Sequence, residues 1–347
     1  MGWLSGWSYR RAVTITNNTS TELTDYQVRI ELNSSNFDFS KANADGSDIR
    51  FTKDDGETLL AYWIEKWDSP NEEAIIWVKV PSIPANGDVT IYMYYGNPSA
   101  TSESNAEAVF DLYDDFEDND ISDWIIDSGS FTVSGGIVES TTEGASLMHK
   151  DVTISHGVVL ETAVKPGSLG DPGIIFAMQD VNNFYMARIN AAQDEIQLYK
   201  KEAGSFSKVA SKGVSIDSLW YAIKTIWKND GTVRVEVYGG TSDRIGFDYE
   251  SLTLVGTLDY TTSTTWDSGY VGLRSYYPSS WDWVRVRKYA EQEPTASVGS
   301  EETPPIRIKV WDGSSWVDVK AVKVWDGSAW VDAKAIYYWD GSQWVKL

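Results

Sequence analysis

The stretch AIIWVKVPSIPANGDVTIYMYY, residues 74–95, holds two blocks of β-branched and aromatic residues on either side of the turn-forming residues PANGD. Blocks of this kind are typical of β-strands. The same pattern recurs, for example at RAVTITN (11–17), GVVLETAV (157–164) and WVRVRKY (283–289). Turn residues come at short intervals and no helical pattern exceeds a turn or two, which favours antiparallel sheets over βαβ units. The sequence therefore predicts an all-β fold of two antiparallel β-sandwich or jelly-roll domains followed by a short segment of β-hairpin repeats.

The length of 347 residues and two polar seams predict how these domains divide the chain. The first seam, GNPSATSESNAEA, is small and polar, and the second, EQEPTASVGSEETPP, is acidic and contains three prolines. Segments of this composition form linkers or exposed spacers. We therefore expect an N-terminal β-sandwich at 1–105, a jelly-roll domain at 106–290, a linker at 291–304 and three repeats at 305–347.

The C-terminal segment repeats one unit three times, as KVWDGSSWVDVKAV, KVWDGSAWVDAKAI and YYWDGSQWVKL. The Asp-Gly between two tryptophans predicts a hairpin turn in each unit, and a change of apolar parity predicts a break near Ala321. So short a segment cannot cover this much apolar surface by itself. We therefore favour self-association over a free-standing monomeric tail, through Trp311, Trp316, Trp325, Trp330, Trp339 and Trp344.

The composition excludes several classes of partner and chemistry. With 51 acidic against 29 basic residues the formal charge is −22, which argues against nucleic acid or an anionic membrane surface. The absence of cysteine excludes disulfides, thiolate metal sites and a cysteine nucleophile. No stretch approaches the roughly 20 apolar residues of a membrane span, and the first residues lack the apolar core of a signal peptide. We expect that a leader has been removed or that the protein reaches the outside without secretion.

The first domain resembles an uncharacterised β-sandwich family of bacterial and archaeal surface proteins and of virus proteins. The resemblance implies a fold and no activity. It rests on Trp7–Arg10, Asp45–Phe51, Tyr62–Trp67, Ile76–Pro81 and Tyr94–Asn97.

The second domain resembles the concanavalin A-like, laminin-G-like jelly rolls. This resemblance implies carbohydrate or protein binding, commonly with one structural calcium ion. It rests on Tyr113–Phe116, Trp124, Asn183–Tyr185, Gly269–Arg274 and Trp281–Val286. The Trp-Asp-Gly-Ser units are similar to repeats in tail and fibre proteins of tailed viruses.

The sequence does not pair carboxylates as a hydrolase would. Jelly-roll hydrolases place two carboxylates roughly 5–10 Å apart on one sheet face. Glu161 and Glu236 each stand alone in their strand patterns and are interpreted as outward-facing strand residues. We therefore predict no catalytic residue and no enzymatic activity.

An acidic run at the start of the second domain is the one candidate metal site. Hard carboxylate oxygens suit calcium. By the resemblance, Asp114 or Asp115 would lie beside the closing strand that carries Asp282. The alternative is a solvated acidic loop, which is the commoner outcome. No cofactor is required under either interpretation.

Aromatic residues cluster near one end of the second domain and predict a surface for stacking on sugars. Trp281 and Trp283 are two apart in a strand and would share one face, where core burial is the favoured alternative. Tyr276 and Tyr277 are predicted to lie in an exposed loop. The candidate glycan-binding residues are Trp266, Tyr276, Tyr277, Trp281 and Trp283.

Three asparagines lie in Asn-x-Ser/Thr triplets within polar, turn-like segments, and such triplets are acceptors for N-glycosylation. They are Asn17, Asn18 and Asn33.

We therefore predict a non-enzymatic structural or adhesion protein at a virion surface, in a tail fibre, spike or capsid decoration, whose sandwiches bind a host glycan or receptor. Its expected partners are its own copies, as a homo-oligomer with a trimer as the expected form, or other virion proteins. One alternative is a surface adhesin or surface-filament protein outside an archaeal or bacterial cell. A second alternative is a polysaccharide-degrading enzyme with accessory binding modules.

Overall fold

The computed structural model describes residues 2–141, 143–304, 309–311, 313–319, 321–339 and 342–346. Antiparallel strands dominate it, which confirms the predicted all-β class. The helical segments are short: α1 (Ala106–Val109) and two 3-10 turns at Phe39–Lys41 and Tyr249–Ser251. Across these described ranges, no helix has the length and hydropathy needed to span a membrane.

Two sheets face each other in the N-terminal sandwich. Its strands are β1 (Tyr9–Asn17), β2 (Leu23–Asn33), β3 (Arg50–Thr52), β4 (Leu59–Leu60), β5 (Tyr62–Asp68), β6 (Glu73–Ile83) and β7 (Gly87–Tyr95). One sheet contains β1-β7-β3-β4 and the other has the order β2-β6-β5. Strand β6 is apolar on both faces because Ile76 and Val78 enter the core between the sheets, while Trp77 on the opposite face is covered by α1 and Phe110.

The second sandwich is larger and packs a seven-stranded sheet on an eight-stranded sheet. Its strands are β8 (Leu112–Asp114), β9 (Trp124–Ser128), β10 (Phe131–Ser134), β11 (Ile137–Ser140), β12 (Ser146–Ser155), β13 (Val158–Pro166), β14 (Gly173–Asp180), β15 (Asn183–Asn190), β16 (Glu195–Glu202), β17 (Ser205–Gly213), β18 (Trp220–Trp227), β19 (Val233–Thr241), β20 (Leu254–Tyr260), β21 (Ser268–Ser275) and β22 (Ser279–Lys288).

The seven-stranded sheet has the order β17-β16-β15-β14-β21-β12-β9. The eight-stranded sheet has the order β10-β11-β22-β13-β18-β19-β20, with β8 also paired to β22. Alternation along the strands separates two faces. Ile174, Ala187 and Leu273 point into the core between the sheets. Their neighbours Ile175 and Met186 belong to a second apolar cluster on the other face, which we call the outer face of the seven-stranded sheet.

The segment expected to be a linker at 291–304 instead contains strand β23 (Thr295–Glu302), which pairs antiparallel with β1 and completes the first sheet of the N-terminal sandwich. The prediction of an exposed spacer was wrong for these residues. Ala296 and Val298 pack against the N-terminal core, so the strand is held on one face and open to solvent on the other. The chain therefore leaves the second sandwich and returns to the first before the repeats begin.

An aromatic cluster of buried and half-buried side chains joins the two sandwiches. Trp63 of the N-terminal sandwich contacts Phe110, Tyr113 and Phe247 with ring centroids 5.1–5.6 Å apart. Phe247 in turn lies 4.5 Å from Trp283 of β22. The outer face of the eight-stranded sheet is thereby buried against the first sandwich.

The repeats form three separate two-stranded hairpins. Their strands are β24 (Lys309–Trp311), β25 (Trp316–Asp318), β26 (Lys323–Trp325), β27 (Trp330–Asp332), β28 (Tyr337–Trp339) and β29 (Trp344–Lys346). Strand β25 ends at Asp318 and β26 begins at Lys323, so the chain leaves strand conformation around Ala321, as the parity change predicts.

Candidate ligand-binding site

On the outer face of the seven-stranded sheet, three paired residues on neighbouring strands form a row. It has a glycine in the middle and one arginine on each side. Gly173 of β14 pairs with Arg188 of β15 on one side and with Arg274 of β21 on the other. Directly paired residues point to the same face of a sheet, so both guanidinium groups rise from the outer face. Adjacent strands lie about 4.8 Å apart, which separates the two arginine Cα atoms by about 10 Å. Gly173 adds no side chain to this row, and an added Cβ would come 2.4 Å from the carbonyl oxygen of Ala187.

Beside this row, Nη1 of Arg188 and Oδ2 of Asp171 form a buried ion pair. Arg188 Nε donates to Oε1 of Gln197 at 2.8 Å. Asp171 Oδ1 accepts hydrogen bonds from the backbone N–H of Tyr276 at 2.6 Å and from Oγ of Ser275 at 3.1 Å. Arg188 is 9% exposed and Asp171 is 4% exposed. Both carboxylate oxygens of Asp171 therefore have hydrogen-bond donors within the protein, and its charge is paired with that of Arg188.

Arg274 is buried without such a partner. It is 6% exposed, and it forms no ion pair with any residue in the described parts of the chain. Its Nη1 lies 4.0 Å from Sδ of Met186, and its guanidinium carbon lies 4.8 Å from the ring centroid of Phe206. Burial lowers the pKa of Arg274, while the nearby charge of Asp171 acts in the opposite direction. A guanidinium carries five donors, so most of those on Arg274 are available at this surface.

Aromatic side chains form the walls above the two arginines. Phe206 is 42% exposed and Tyr276 is 48% exposed, and Tyr199 lies beneath the guanidinium of Arg188 at 4.3 Å. Together with Ala145 these groups enclose a cleft of about 380 Å³. A cleft with apolar walls and a few convergent polar groups is the usual form of a small-molecule site. We call it the outer-face cleft.

Two of the predicted stacking residues are buried and lie on opposite faces of their sheet. Trp281 is 0% exposed in the core between the sheets, whereas Trp283 is 2% exposed in the cluster that faces the N-terminal sandwich. A bulge explains the difference: Val164 pairs with Trp281 and Thr162 pairs with Val284, so β22 has one extra residue between them. The expectation of core burial is correct, and the expectation of a shared face was wrong. Neither indole is available to stack on a ligand.

Of the remaining predicted aromatic residues, Tyr276 lines the outer-face cleft and the other two do not. Tyr277 packs edge-on against Tyr276 with ring centroids 5.2 Å apart. Trp266 is half-buried beside Tyr185 at 5.7 Å and is covered by Nζ of Lys200 at 5.5 Å. The structure therefore brings Tyr276 to the cleft and leaves Trp266 as a packing residue outside it.

The three carboxylates of the predicted calcium site are engaged by protein groups. Asp282 accepts from Nε of Arg244 at 2.9 Å. Asp114 accepts from the indole N–H of Trp124 at 2.7 Å and lies 3.2 Å from Nζ of Lys150. Burial raises the pKa of both Asp114 and Asp282.

Asp115, the third of these carboxylates, accepts from the hydroxyl of Tyr113 at 3.1 Å. Among the described residues, no three carboxylate or histidine side chains are grouped as they would be around a metal ion. Asp114 does lie beside the closing strand β22 that carries Asp282, opposite Val284, as the resemblance implies, and calcium binding stays a prediction.

A second cavity of about 400 Å³ lies beside the junction of the sandwiches and is richer in charge. Its carboxylates include Glu236, which lies 3.0 Å from Nε of Arg234, and Glu250, which is paired with Lys224. Glu293 in the same cavity is paired with Arg287 at 2.5 Å. These three acids are paired with neighbouring cations, and Glu291 in the same cavity accepts from the hydroxyl of Tyr289.

Glu161 occupies a different environment from the one expected. Its side chain leaves the outer face of β13, as predicted, but the N-terminal sandwich covers it and leaves it 1% exposed. Arg285 Nε contacts it at 2.7 Å and Arg287 Nε at 3.2 Å. Burial opposes its ionisation, but the two guanidinium charges outweigh burial and lower the pKa of Glu161 to about 2. It is a structural anion.

The predicted assembly residues are exposed wherever their side chains are described. Trp325, Trp330 and Trp344 are 56%, 65% and 67% exposed. The side chains of Trp311, Trp316 and Trp339 lie outside the described part of the structure, where only their backbone pairing is given.

The three predicted glycosylation sites differ in accessibility. Asn18 and Asn33 are exposed. Asn17 is fully buried, and its Nδ2 donates to the backbone carbonyls of Thr21 at 2.9 Å and Pro84 at 3.1 Å. The expectation for Asn17 was wrong for the folded protein, because its side-chain amide is buried and hydrogen-bonded to the backbone of two turns.

The central residues of the outer-face cleft were missed by sequence reasoning. Asp171, Arg188 and Arg274 come from three separate segments and belong to no short motif. Two signals were present in the sequence: Arg188 and Arg274 each interrupt an otherwise apolar strand, in FYMARIN and GYVGLRS. A charged residue in a strand that is apolar on both faces points to a polar site or to a buried ion pair.

Comparison with known proteins finds that part of the chain is similar to an uncharacterised family. Residues 45–127 match the family described as "Domain of unknown function (DUF2341)". This match covers β3 to β7 of the N-terminal sandwich and continues through β8 into β9. No curated protein matches the chain.

Several solved structures are similar to part of the chain. The carbohydrate binding module CBM66 from Bacillus subtilis is 22% identical with a TM-score of 0.39, over 48% of this chain and 96% of that one. A protein of unknown function with a galectin-like fold from Bacillus subtilis is 14% identical with a TM-score of 0.37, over 51% and 94%. The GH43 protein BlXynB from Bacillus licheniformis is 12% identical with a TM-score of 0.37, over 67% and 51%.

Proposed function

We propose that the chain is a non-catalytic binding protein whose second sandwich holds a glycan in the outer-face cleft. The observation that carries the proposal is the combination of exposed aromatic rings with buried, convergent guanidinium groups in one cleft of about 380 Å³. Sugars present both kinds of surface, since a pyranose ring has apolar C–H faces and a rim of hydroxyl groups. No other described cavity unites these two features.

The aromatic rim suits the apolar face of a sugar. Phe206 and Tyr276 stand at the edge of the cleft with nearly half of their surface exposed. Exposed rings of this size gain free energy when a flat apolar surface covers them. Large exposed aromatics at the rim of a polar cleft are a feature of interaction sites rather than of ordinary surface.

The polar floor suits the hydroxyl groups. Arg188 is fixed by Asp171 and Gln197, so it presents its remaining N–H donors in one orientation. A pre-organised donor loses little entropy when a ligand binds. Specificity in such sites comes from a few fixed polar groups, because each of them would be left unpaired by a wrong ligand.

The non-catalytic part of the proposal rests on the acids at this site. Glycoside hydrolysis requires two carboxylates flanking the bond that is cleaved. Asp171 is the one carboxylate among the described residues that line the cleft. Its ion pair with Arg188 holds it in the ionised form, so it has no proton to donate as a general acid. We therefore prefer a binding protein over the alternative of a polysaccharide-degrading enzyme.

The proposal extends to assembly and location. Trp325 and Trp330 form an exposed edge-to-face pair with ring centroids 5.8 Å apart, which supports assembly with further copies of the chain through the repeats. We propose that such an assembly presents the cleft at a virion surface, with an archaeal or bacterial surface adhesin as the alternative.

A glycan array probed with the full chain tests the binding function. Titration calorimetry of the best binder with Phe206→Ser and Tyr276→Ser then tests the site, with Leu254→Ser as the control because Leu254 is equally exposed on another sheet. We expect each rim variant to lose about tenfold in affinity, corresponding to about 1.4 kcal/mol per ring, and the control to be unchanged.

The proposal fails if no glycan on the array binds, or if both rim variants bind as tightly as the parent chain. A reducing-sugar assay on the bound polysaccharide decides the catalytic question. Release of sugar at enzymatic rates would establish the hydrolase alternative.

A further inference from the structure

The outer-face cleft contains one more positive charge than its protein partners neutralise. Arg188 is matched by Asp171, but Arg274 has no anionic partner among the described residues, although it is 94% buried. Asp171 acts on Arg274 only through its charge at longer range, because it forms its ion pair with Arg188 and its Oδ1 accepts from Ser275 and the backbone of Tyr276. A buried cation without a counter-charge is costly, so its retention needs a reason.

The surroundings of Arg274 increase the local positive charge. Lys201 lies at the same end of the sheet, with Nζ 5.1 Å from the ring centroid of Phe206. Burial and the neighbouring charge of Arg274 lower the pKa of Lys201. The cleft therefore has a local excess of positive charge, although the formal charge of the whole chain is −22. The net charge argues against polyanionic partners in general, but a buried site responds to the charges within a few ångströms.

The geometry of the row indicates where an anion would lie. Arg188 and Arg274 flank Gly173, and an ideal Cβ on that glycine would come 2.6 Å from Cβ of Arg188. The row is therefore closely packed at Gly173, where an added Cβ would also come 2.4 Å from the carbonyl oxygen of Ala187, and the open space is the cleft lined by Arg188 and Arg274. Planar guanidinium groups bind carboxylate and sulfate oxygens through paired N–H donors, which makes arginine suited to this role.

We infer that the outer-face cleft binds an acidic sugar, whose carboxylate or sulfate group lies in the cleft beside Arg274 and supplies the counter-charge of that arginine. This inference rests on the proposed glycan-binding function and names the class of glycan. Phe206 and Tyr276 would cover the sugar ring while Arg274 holds its acidic substituent. Binding is expected to weaken as salt is raised, since part of it is ionic.

Paired ligands that differ only in charge provide the test. The full chain is titrated with oligogalacturonate and with its methyl ester, and with κ-carrageenan oligosaccharides and their desulfated form. The same titrations are made with Arg274→Gln. The matched control is Lys212→Gln, which removes one positive charge from an exposed position on the same sheet.

We expect the charged member of at least one pair to bind about 30-fold more tightly than its uncharged counterpart. Arg274→Gln should abolish this preference while keeping the affinity for the uncharged member within about threefold, and Lys212→Gln should leave both affinities unchanged. Arg274→Gln removes an unpaired buried charge, so its thermal unfolding temperature should not fall. Carboxylate or sulfate is identified by which pair shows the preference.

Binding of neutral array glycans that is lost in Tyr276→Ser but shows no preference for charge in either pair would overturn the inference and leave the proposed function in place. Equal weakening of both members of a pair by Arg274→Gln would also overturn it. Absence of binding to every array glycan would remove the proposed function itself.

Discussion

Arg285 of the second sandwich lies 3.2 Å from Glu65 of the N-terminal sandwich, and both side chains are less than 5% exposed. The same guanidinium reaches Glu161 through Nε and is flanked by the rings of Trp77 and Phe110 at 5.0 and 5.2 Å. Arg285 therefore joins acids from both sandwiches inside an aromatic enclosure. The two sandwiches share a buried polar centre rather than a flexible tether.

Glu161→Gln should destabilise the protein strongly. The substitution removes one of the two carboxylates that neutralise each of the buried guanidinium groups of Arg285 and Arg287. Removing one partner of a buried ion pair typically costs about 3–5 kcal/mol of stability. Urea unfolding followed by tryptophan fluorescence measures the loss. Glu202→Gln is the matched control, because its pair with Lys200 is exposed and should contribute less than about 1 kcal/mol. Equal effects of the two variants would contradict the buried network.

Stability should fall at acid pH through the same residue. The pKa of Glu161 is lowered from 4.5 to about 2 in the folded chain, so its contribution is complete above about pH 4.5 and is lost as the pH falls toward 2. Glu293 and Glu301 have lowered pKa values and act in the same direction. Unfolding curves between pH 7 and pH 2 should show a steeper loss for the parent chain than for Glu161→Gln. Parallel curves would contradict this assignment.

Strand β23 should be necessary for the stability of the N-terminal sandwich. A chain that ends at Pro294 loses this strand and leaves the edge of β1 unpaired, whereas a chain that ends at Pro304 keeps it. We expect the shorter chain to unfold several degrees lower or to aggregate, because an exposed strand edge is a site for pairing with other chains. Differential scanning calorimetry of the two chains gives the comparison. Indistinguishable unfolding would mean that β23 is dispensable.

The repeats should drive self-association independently of that strand. Native mass spectrometry at micromolar concentration is expected to find oligomers for the full chain and monomers for the chain that ends at Pro304. The double variant Trp325→Ser and Trp330→Ser should weaken the oligomer, since both indoles are more than half exposed. Monomers for both chains, or the same oligomer for both, would rule out assembly by the repeats.

The strands were predictable because their signal is local. Alternation in β1 and β13 and the Asp-Gly turns of the repeats can be read without knowledge of the partner strand. The orientation of Trp281 and Trp283 was not predictable, since the extra residue between them is defined only against Thr162 and Val164 of the neighbouring strand. The same limit applies to Glu161, whose burial depends on a second domain.

The segment at 291–304 shows how composition can mislead. Acidic residues and prolines favour an exposed spacer, yet edge strands share this polar character because one of their faces meets solvent. The alternation of Ala296 and Val298 with polar neighbours was the signal for a strand. The cleft was harder to foresee, because Asp171, Arg188 and Arg274 converge only through the pairing of β14 with β15 and β21.

Chemical-shift mapping tests whether the outer-face cleft is the glycan site. The full chain, labelled with ¹⁵N, is titrated with the acidic oligosaccharide that binds best. The largest amide shifts are expected at Arg188, Arg274 and Tyr276, which line the cleft, and at Gly173, which pairs with both arginines. Shifts concentrated in the N-terminal sandwich or in the repeats, with these four amides unmoved, would contradict the placement of the glycan site in the outer-face cleft.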